Sequence, residues 1–269
     1  MTERRYCYYF LIPAFFILTL FLSPATAGEP SEAAGPGISI IIDDIGYRWI
    51  DDRKALELPG PLAYAIMPHS PHAGLMSRLA SEDNKDVILH LPMEALDKQK
   101  NRYLGPGALM LDMDRSQFIK TLYENLHSVP NIIGVNNHMG SLLTRHAGHM
   151  GWLMQHLRAQ GMFYIDSVTI HKSVTRSVAR KNRVPYQQRD VFLDHRREEK
   201  HIHAQFDKLL RISREQGHAI AIGHPHPETI AVLAERLAQL EQEGVALVSL
   251  RSIIPEPDME PSLLLTRHP

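Results

Sequence analysis

One stretch constrains the fold more than any other. In Ile38-Ser39-Ile40-Ile41-Ile42-Asp43-Asp44-Ile45-Gly46 an apolar, β-branched run ends in two adjacent carboxylates and a glycine. A run of this length and composition reads as a strand buried on both faces, the kind that fills a parallel sheet. The C-terminal ends of parallel strands line the open face of an α/β fold, so Asp43 and Asp44 fall where such folds do chemistry. Two neighbouring acids repel each other, and a cation is a common reason for keeping both. The plainer alternative makes Asp43 a helix cap and Asp44 a solvated turn residue.

Further apolar runs follow at 62–67, 87–91, 132–135, 162–165, 184–186 (the weakest), 219–222 and 246–250. Amphipathic stretches lie between them at 115–127, 148–160, 200–216 and 227–243. This alternation predicts βα units around a parallel sheet, closed or nearly closed into a barrel, with an open doubly wound sheet as the alternative. Gly161, Gly217 and Gly244 are placed to end helices in the left-handed conformation. Residues 97–114 break the rhythm with polar residues and Gly105-Pro106-Gly107, forming the longest insertion and a candidate cover for the site.

The N-terminus reads as an export signal. It has a basic start at Arg4-Arg5, an apolar core at 10–22 and a small-residue cleavage site at Ala25-Thr26-Ala27, so residues 1–27 are expected to leave. An uncleaved anchor is the alternative, but the apolar core contains Pro13 and falls short of the roughly 20 residues of a spanning helix, so no stable membrane span is expected. The expected location is the bacterial periplasm or the exterior. Residues 28–37 form a flexible lead-in, 38–254 the barrel, and the proline-rich 255–269 an extended tail.

Cleavage removes Cys7, the only cysteine, and with it any thiol chemistry. Of 29 basic and 30 acidic residues, Arg4, Arg5 and Glu3 lie in the signal, leaving 27 and 29. That balance offers no basic field for nucleic acid. All 16 histidines remain, enough to direct attention to metal ligands.

The polar residues track the strand ends. His90 lies within 87–91 and is followed by Glu94; Asn136-Asn137-His138 follow 132–135; Asp166-Ser167 follow 162–165; His224 follows 219–222. A barrel would bring these to one face. A carboxylate and two imidazoles with an open position suit Zn²⁺ or a similar divalent ion, which acidifies bound water and polarises a carbonyl. Each residue has a plainer alternative: His90 a core histidine, His224-Pro225-His226 a turn into a helix, and Asp166, Asp190 and Asp194 either caps or groups that orient the histidines. His69 and His72 are expected on the rim, and His146, His149, His156, His201 and His203 on solvated faces. Ser141 and Ser167 lie outside any Gly-x-Ser-x-Gly, which argues against a serine hydrolase.

Six segments together resemble the divergent polysaccharide deacetylase family, a branch of the polysaccharide deacetylase superfamily. They are Ile41-Ile42-Asp43-Asp44-Ile45-Gly46, His90-Leu91-Pro92-Met93-Glu94, Asn137-His138-Met139-Gly140-Ser141, Phe163-Tyr164-Ile165-Asp166-Ser167, Arg189-Asp190-Val191-Phe192-Leu193-Asp194 and Gly223-His224-Pro225. The resemblance implies a distorted (β/α) barrel of about seven parallel strands with a divalent metal, Zn²⁺ or similar, at the strand ends. It implies Asp43 as general base, Asp44 as metal ligand and His224 as general acid, acting on N- or O-acetyl groups of a carbohydrate or cell-envelope glycan. Typical superfamily members place a second histidine four residues after the first. Here position 142 is Leu142, so the second histidine ligand beside His138 is expected to be His90 from another strand. Glu94 and Asp166 complete the candidate catalytic set. The rival readings are a barrel that binds glycan or a periplasmic partner without catalysis, and a metal phosphoesterase.

Overall fold

A computed structural model of the chain describes residues 35–254 together with Met1 and Thr2. The export signal, most of the lead-in and the 255–269 tail lie outside the described residues. The first strand, β1 (Gly37–Ile45), is the apolar run. It is followed by α1 (Trp49–Leu56), β2 (Ala63–Ile66), α2 (Ala73–Glu82), β3 (Asp86–Met93), α3 (Arg115–Ser128), β4 (Gly134–Met139) and α4 (Ala147–Ala159). Then come β5 (Phe163–Asp166), α5 (Thr175–Lys181), β6 (Tyr186–Gln188), β7 (Val191–Phe192), α6 (Glu199–Gln216), β8 (His218–Gly223), α7 (Pro227–Leu237) and β9 (Ala246–Leu247). No helix among the described residues is long and apolar enough to cross a membrane.

All strand pairings are parallel, in the order β6-β5-β4-β3-β2-β1-β8-β7, with β9 on the free lower edge of β1. The two ends of that order, β6 and β7, are consecutive in the chain and separated only by Arg189 and Asp190. The Arg189 N–H donates to the Asp166 carbonyl on the β5 side, and the Asp190 N–H donates to the Ile220 carbonyl on the β8 side. One extended segment therefore changes partners halfway along and joins the two edges of the wall. Counted as one strand, and with β9 outside the wall, it gives the seven-stranded distorted barrel that the family resemblance implies.

Side chains alternate across this wall as a pleated strand requires. Ile38, Ile40 and Ile42 face a large core shared with helix residues such as Met76, Phe118, Leu153, Phe206 and Leu233. Ile41 joins Ala63, Ala65, Ile88, Phe163, Ile165, Ile220 and Ile222 in a smaller core inside the barrel. Each fully buried isoleucine contributes about 1.5–3 kcal/mol relative to exposure, which anchors β1 firmly enough to carry strain at its end.

The helices start and stop for identifiable reasons. Helix α3 opens on a capping box, in which the Asp114 side chain accepts from the Gln117 N–H and the Gln117 side chain from the Asp114 N–H. Gly217 ends α6 at φ +83°, as its position in the sequence predicts. The helix expected over 227–243 stops at Leu237. Gly244, at φ +64°, lies in the turns beyond it rather than at the helix end. Strand β4 runs further than its apolar run, through Asn136, Asn137 and His138, because each of those polar side chains has a partner in the wall.

Candidate functional site

The end of β1 departs from ordinary alternation. In a regular strand Asp43 and Asp44 would point to opposite faces, but Asp44 sits at φ +61°, and the β1–β2 register slips between Ile42 and Ile45. This left-handed residue costs about 1–3 kcal/mol and turns both carboxylates toward the barrel mouth. Neither acid caps α1. Asp52 does the local work instead, its Oδ2 accepting from the N–H groups of Gly46 at 2.8 Å and Arg48 at 3.0 Å.

Asp43 and His90 are almost wholly buried, at 3% and 2% exposure, and Asn136 is completely so. Asn136 joins them. Its Nδ2 donates to Asp43 Oδ1 at 2.8 Å, and its Oδ1 lies 2.7 Å from His90 Nδ1. Because the amide nitrogen is committed to the carboxylate, the amide oxygen faces His90, and Nδ1 must carry a hydrogen. Neutral His90 therefore presents a lone pair at Nε2. Strands β1 and β4 are not sheet neighbours, so this chain of contacts spans the barrel interior.

His90 Nε2 lies 3.3 Å from Asp44 Oδ1 and 3.1 Å from His138 Nδ1, which is itself 3.1 Å from Asp44 Oδ1. The Asp44 side chain is 40% exposed, but its Oδ1 is shut off from solvent and faces the two imidazole nitrogens. Three such atoms converge at that separation only with a hydrogen or a cation among them. Ligand atoms set tetrahedrally about 2.0–2.1 Å from zinc lie about 3.3–3.4 Å apart, so the set fits a three-ligand site with a fourth position open. Left-handed backbone at Met139 (φ +55°), the last residue of β4, and at Gly140 (φ +85°) turns the chain away just past His138.

His224 stands on the other side of Asp44, its Nε2 3.8 Å from Asp44 Oδ2. Asp194 holds it by both ends: His224 Nδ1 lies 2.9 Å from Oδ1, while the His224 N–H and Thr229 Oγ1 donate to Oδ2 at 2.6 and 2.8 Å. Asp194 thus orients the histidine, one of the two roles open to it in the sequence. Asp194, His224 and His226 also lie close enough to suggest a second ion site, but both Asp194 oxygens are already committed within the protein.

The electrostatics separate these groups. Burial raises the Asp43 carboxyl above the usual carboxylate range, outweighing the opposing pull of His90, His224 and Asn136. Burial would raise Asp44 too, but the imidazoles of His138 and His90 hold it well below that range. Burial opposes charge on His90 and His224. The nearby carboxylates outweigh it in both, Asp43 and Asp44 raising His90, and Asp194 chiefly raising His224 to about 9.

Two predicted catalytic residues do not join this cluster. Asp166 shares the outward parity of Tyr164, and its carboxylate accepts from Val168 N–H, Ser173 Oγ and Tyr186 Oη at 2.8, 2.9 and 3.3 Å. Glu94 accepts from the Leu111 N–H at 2.7 Å, and its carbonyl accepts from Leu142 and Leu143. It ties the 97–114 insertion to the end of β3. Asp190 likewise serves backbone, accepting from Ile220 N–H. His149, expected in solvent, packs on Phe118 and Trp152. Asn136 and Arg189 carry no signal of a site role in the sequence, although both lie in segments that follow a strand. Arg189 donates to the Ser167 and Val168 carbonyls, fixing a turn in which β-branched Val168 sits at φ +50°.

Two hollows flank the cluster. One, of about 410 Å³, includes Asp43, His138, Arg189, Phe192 and His224; the other, of about 270 Å³, includes Asp44, Tyr47, Tyr103, His138 and His224. A larger apolar hollow of about 510 Å³ lies far from them, between Pro59–Pro61 and Leu237–Leu247, and holds no titratable group except Glu241.

A sequence model of the divergent polysaccharide deacetylase family matches residues 40–254. The uncharacterized protein YibQ of Escherichia coli (strain K12) is 34% identical over 249 residues, 93% of this chain and 74% of that protein. Among solved structures, the uncharacterized protein ATU2773 from Agrobacterium tumefaciens C58 superposes with a TM-score of 0.79 at 21% identity, covering 84% of this chain and 92% of that one. The Bc1960 peptidoglycan N-acetylglucosamine deacetylase shares the fold at a TM-score of 0.51 and 13% identity, over 82% of this chain and 90% of that one.

Proposed function

Because the chain belongs to the divergent polysaccharide deacetylase family, we propose that it is an exported, metal-dependent hydrolase that removes N- or O-acetyl groups from a cell-envelope glycan. The observation that carries this reading is the convergence of Asp44 Oδ1, His90 Nε2 and His138 Nδ1, with Oδ1 buried between the two imidazoles. Export rests on Arg4-Arg5, the apolar 10–22 run and Ala25-Thr26-Ala27.

A divalent cation held by Asp44, His90 and His138 would supply positive charge to the acyl oxygen and acidify water at the fourth position. The protein's own groups move the protons. Asp43, fixed through Oδ1 by Asn136 and raised by burial, accepts a proton from the attacking water. His224, held by Asp194, whose carboxylate favours its protonated form, gives its proton to the departing amine or alcohol as the C–N or C–O bond breaks. The products are acetate and the freed sugar group. Asn136 positions both Asp43 and His90, linking base and ligand through one amide.

The test is acetate release from acetylated oligosaccharides, with and without a chelator, compared with phosphate release from phosphoesters. Chelator-sensitive acetate release that falls by at least about 100-fold in Asp44→Asn is the expected result. Glycan binding without acetate release would support the non-catalytic barrel instead, and phosphate release the phosphoesterase.

A further inference from the structure

The smaller of the two hollows beside the cluster has a composition that the deacetylation chemistry does not require. Its wall carries Arg48, Arg197 and His226 alongside Tyr47 and Tyr103, and Asp44 is its only carboxylate. Asp44 belongs to the proposed metal set, so with a divalent ion in place the wall itself offers no free carboxylate to the two guanidiniums.

The cations are not equivalent. Arg48 is held in place: Nη2 donates to the Pro225 carbonyl at 2.8 Å and lies 3.4 Å from His226 Nδ1, while Nη1 is 3.3 Å from Asp51. Asp51 partly neutralises it. Arg197 is exposed and has no ion-pair partner among the described residues. A guanidinium on a concave wall, free of its own carboxylate and beside a second guanidinium, suits a carboxylate or phosphate oxygen pair.

The aromatics are placed for a sugar. Tyr47 and Tyr103 are 44% and 62% exposed, the remaining surface of each being packed. A Cβ at Gly105 would stand 3.1 Å from Tyr47 Oη, so the insertion's glycine turn lies directly against Tyr47 and brings Tyr103 to the same hollow. Partly exposed tyrosines next to cationic groups, Tyr103 carrying the Arg102 guanidinium 4.6 Å from its ring centre, are suited to a pyranose that carries an anionic substituent.

Building on the deacetylase reading, we propose that the hollow lined by Tyr47, Tyr103, Arg48, Arg197 and His226 is a subsite for a negatively charged sugar unit, carboxylated or phosphorylated, next to the unit that loses its acetyl group. Arg197 is the principal anion contact, and Arg48 completes the cationic wall. The substrate class is then an acidic glycan rather than a neutral one.

Calorimetric binding to the zinc-loaded full chain tests this with three tetrasaccharides. These are the neutral N-acetylglucosamine tetramer, its 6-phosphorylated form, and an alternating N-acetylglucosamine–N-acetylmuramic acid tetramer. At about 50 mM salt at least one anionic tetramer should bind about tenfold tighter than the neutral one, with the advantage shrinking at about 500 mM as charge is screened. Which anionic tetramer gains separates carboxylate from phosphate. Arg197→Gln should remove most of that tenfold advantage, and Arg197→Gln combined with Arg48→Gln the rest. Arg211→Gln, on the exposed face of α6 and paired with Glu215, should leave the ratio unchanged. Equal affinity for all three, no binding of any, or a ratio that survives Arg197→Gln combined with Arg48→Gln would overturn the subsite. Charge-selective binding without acetate release would reject the hydrolase reading while keeping the subsite. Acetate release without charge preference would do the reverse.

Discussion

Asn136→Ala tests the geometry at its most informative point. Asn136 is fully buried and makes two short contacts, 2.8 Å to Asp43 and 2.7 Å to His90. Removing it leaves a buried carboxylate oxygen and a buried imidazole N–H without partners. Each such loss costs about 1–3 kcal/mol, so the metal-free protein should lose about 2–6 kcal/mol, less if water enters the gap. The second effect is the diagnostic one. With the Asn136 acceptor gone, His90 is free to move its proton to Nε2 and loses its fixed orientation, so zinc affinity should fall about 10–100-fold. Competition with a chromophoric chelator measures the affinity, and urea unfolding measures the stability. Asn125→Ala is the control. Asn125 is equally buried, but its contacts go to Gly107 and His69, away from the cluster. It should lose stability without losing metal. If Asn136→Ala and Asn125→Ala bind zinc alike, the tautomer argument for His90 is wrong.

His224 gives a pH prediction. Its folded-state pKa of about 9 lies above the unfolded value near 6.5. The stabilisation from its pairing with Asp194 is therefore full below about pH 6.5 and is lost as pH rises through about 9. The metal-free protein should show a melting temperature that falls across that window, and His224→Gln should flatten the fall; identical profiles would refute the pairing. Gly46→Ala should destabilise the fold by several kcal/mol, on the order of 3, measured by urea unfolding. Gly46 sits at φ +122°, and its added Cβ would stand 1.9 Å from Ser70 Oγ. Near-native stability would mean that the turn after the acid pair is more compliant than it looks.

The parallel barrel was legible because the apolar runs must be buried on both faces. The residues of the cluster were legible because each follows or interrupts such a run. What the sequence hid was direction. Nothing in Asp43-Asp44 announces that Asp44 adopts φ +61°, yet that one dihedral brings both acids to the same side. Asp166 was drawn into the candidate set by its strand-end position, and a one-residue difference in parity turns it away toward Ser173 and Tyr186. Glu94 has the right chemistry, but the insertion after β3 engages its carboxylate through Leu111. Asn136 carries no titratable signal, and its role exists only because β1 and β4 face each other across the interior.

Anomalous diffraction at the zinc edge, from crystals of the zinc-loaded protein, tests the proposed metal centre most directly. A single strong peak within about 2.0–2.1 Å of His90 Nε2, His138 Nδ1 and an Asp44 oxygen is the expected result, and it should vanish in Asp44→Asn. A peak between Asp194 and His226 instead, or no peak at all, would contradict the site on which the proposed hydrolysis rests.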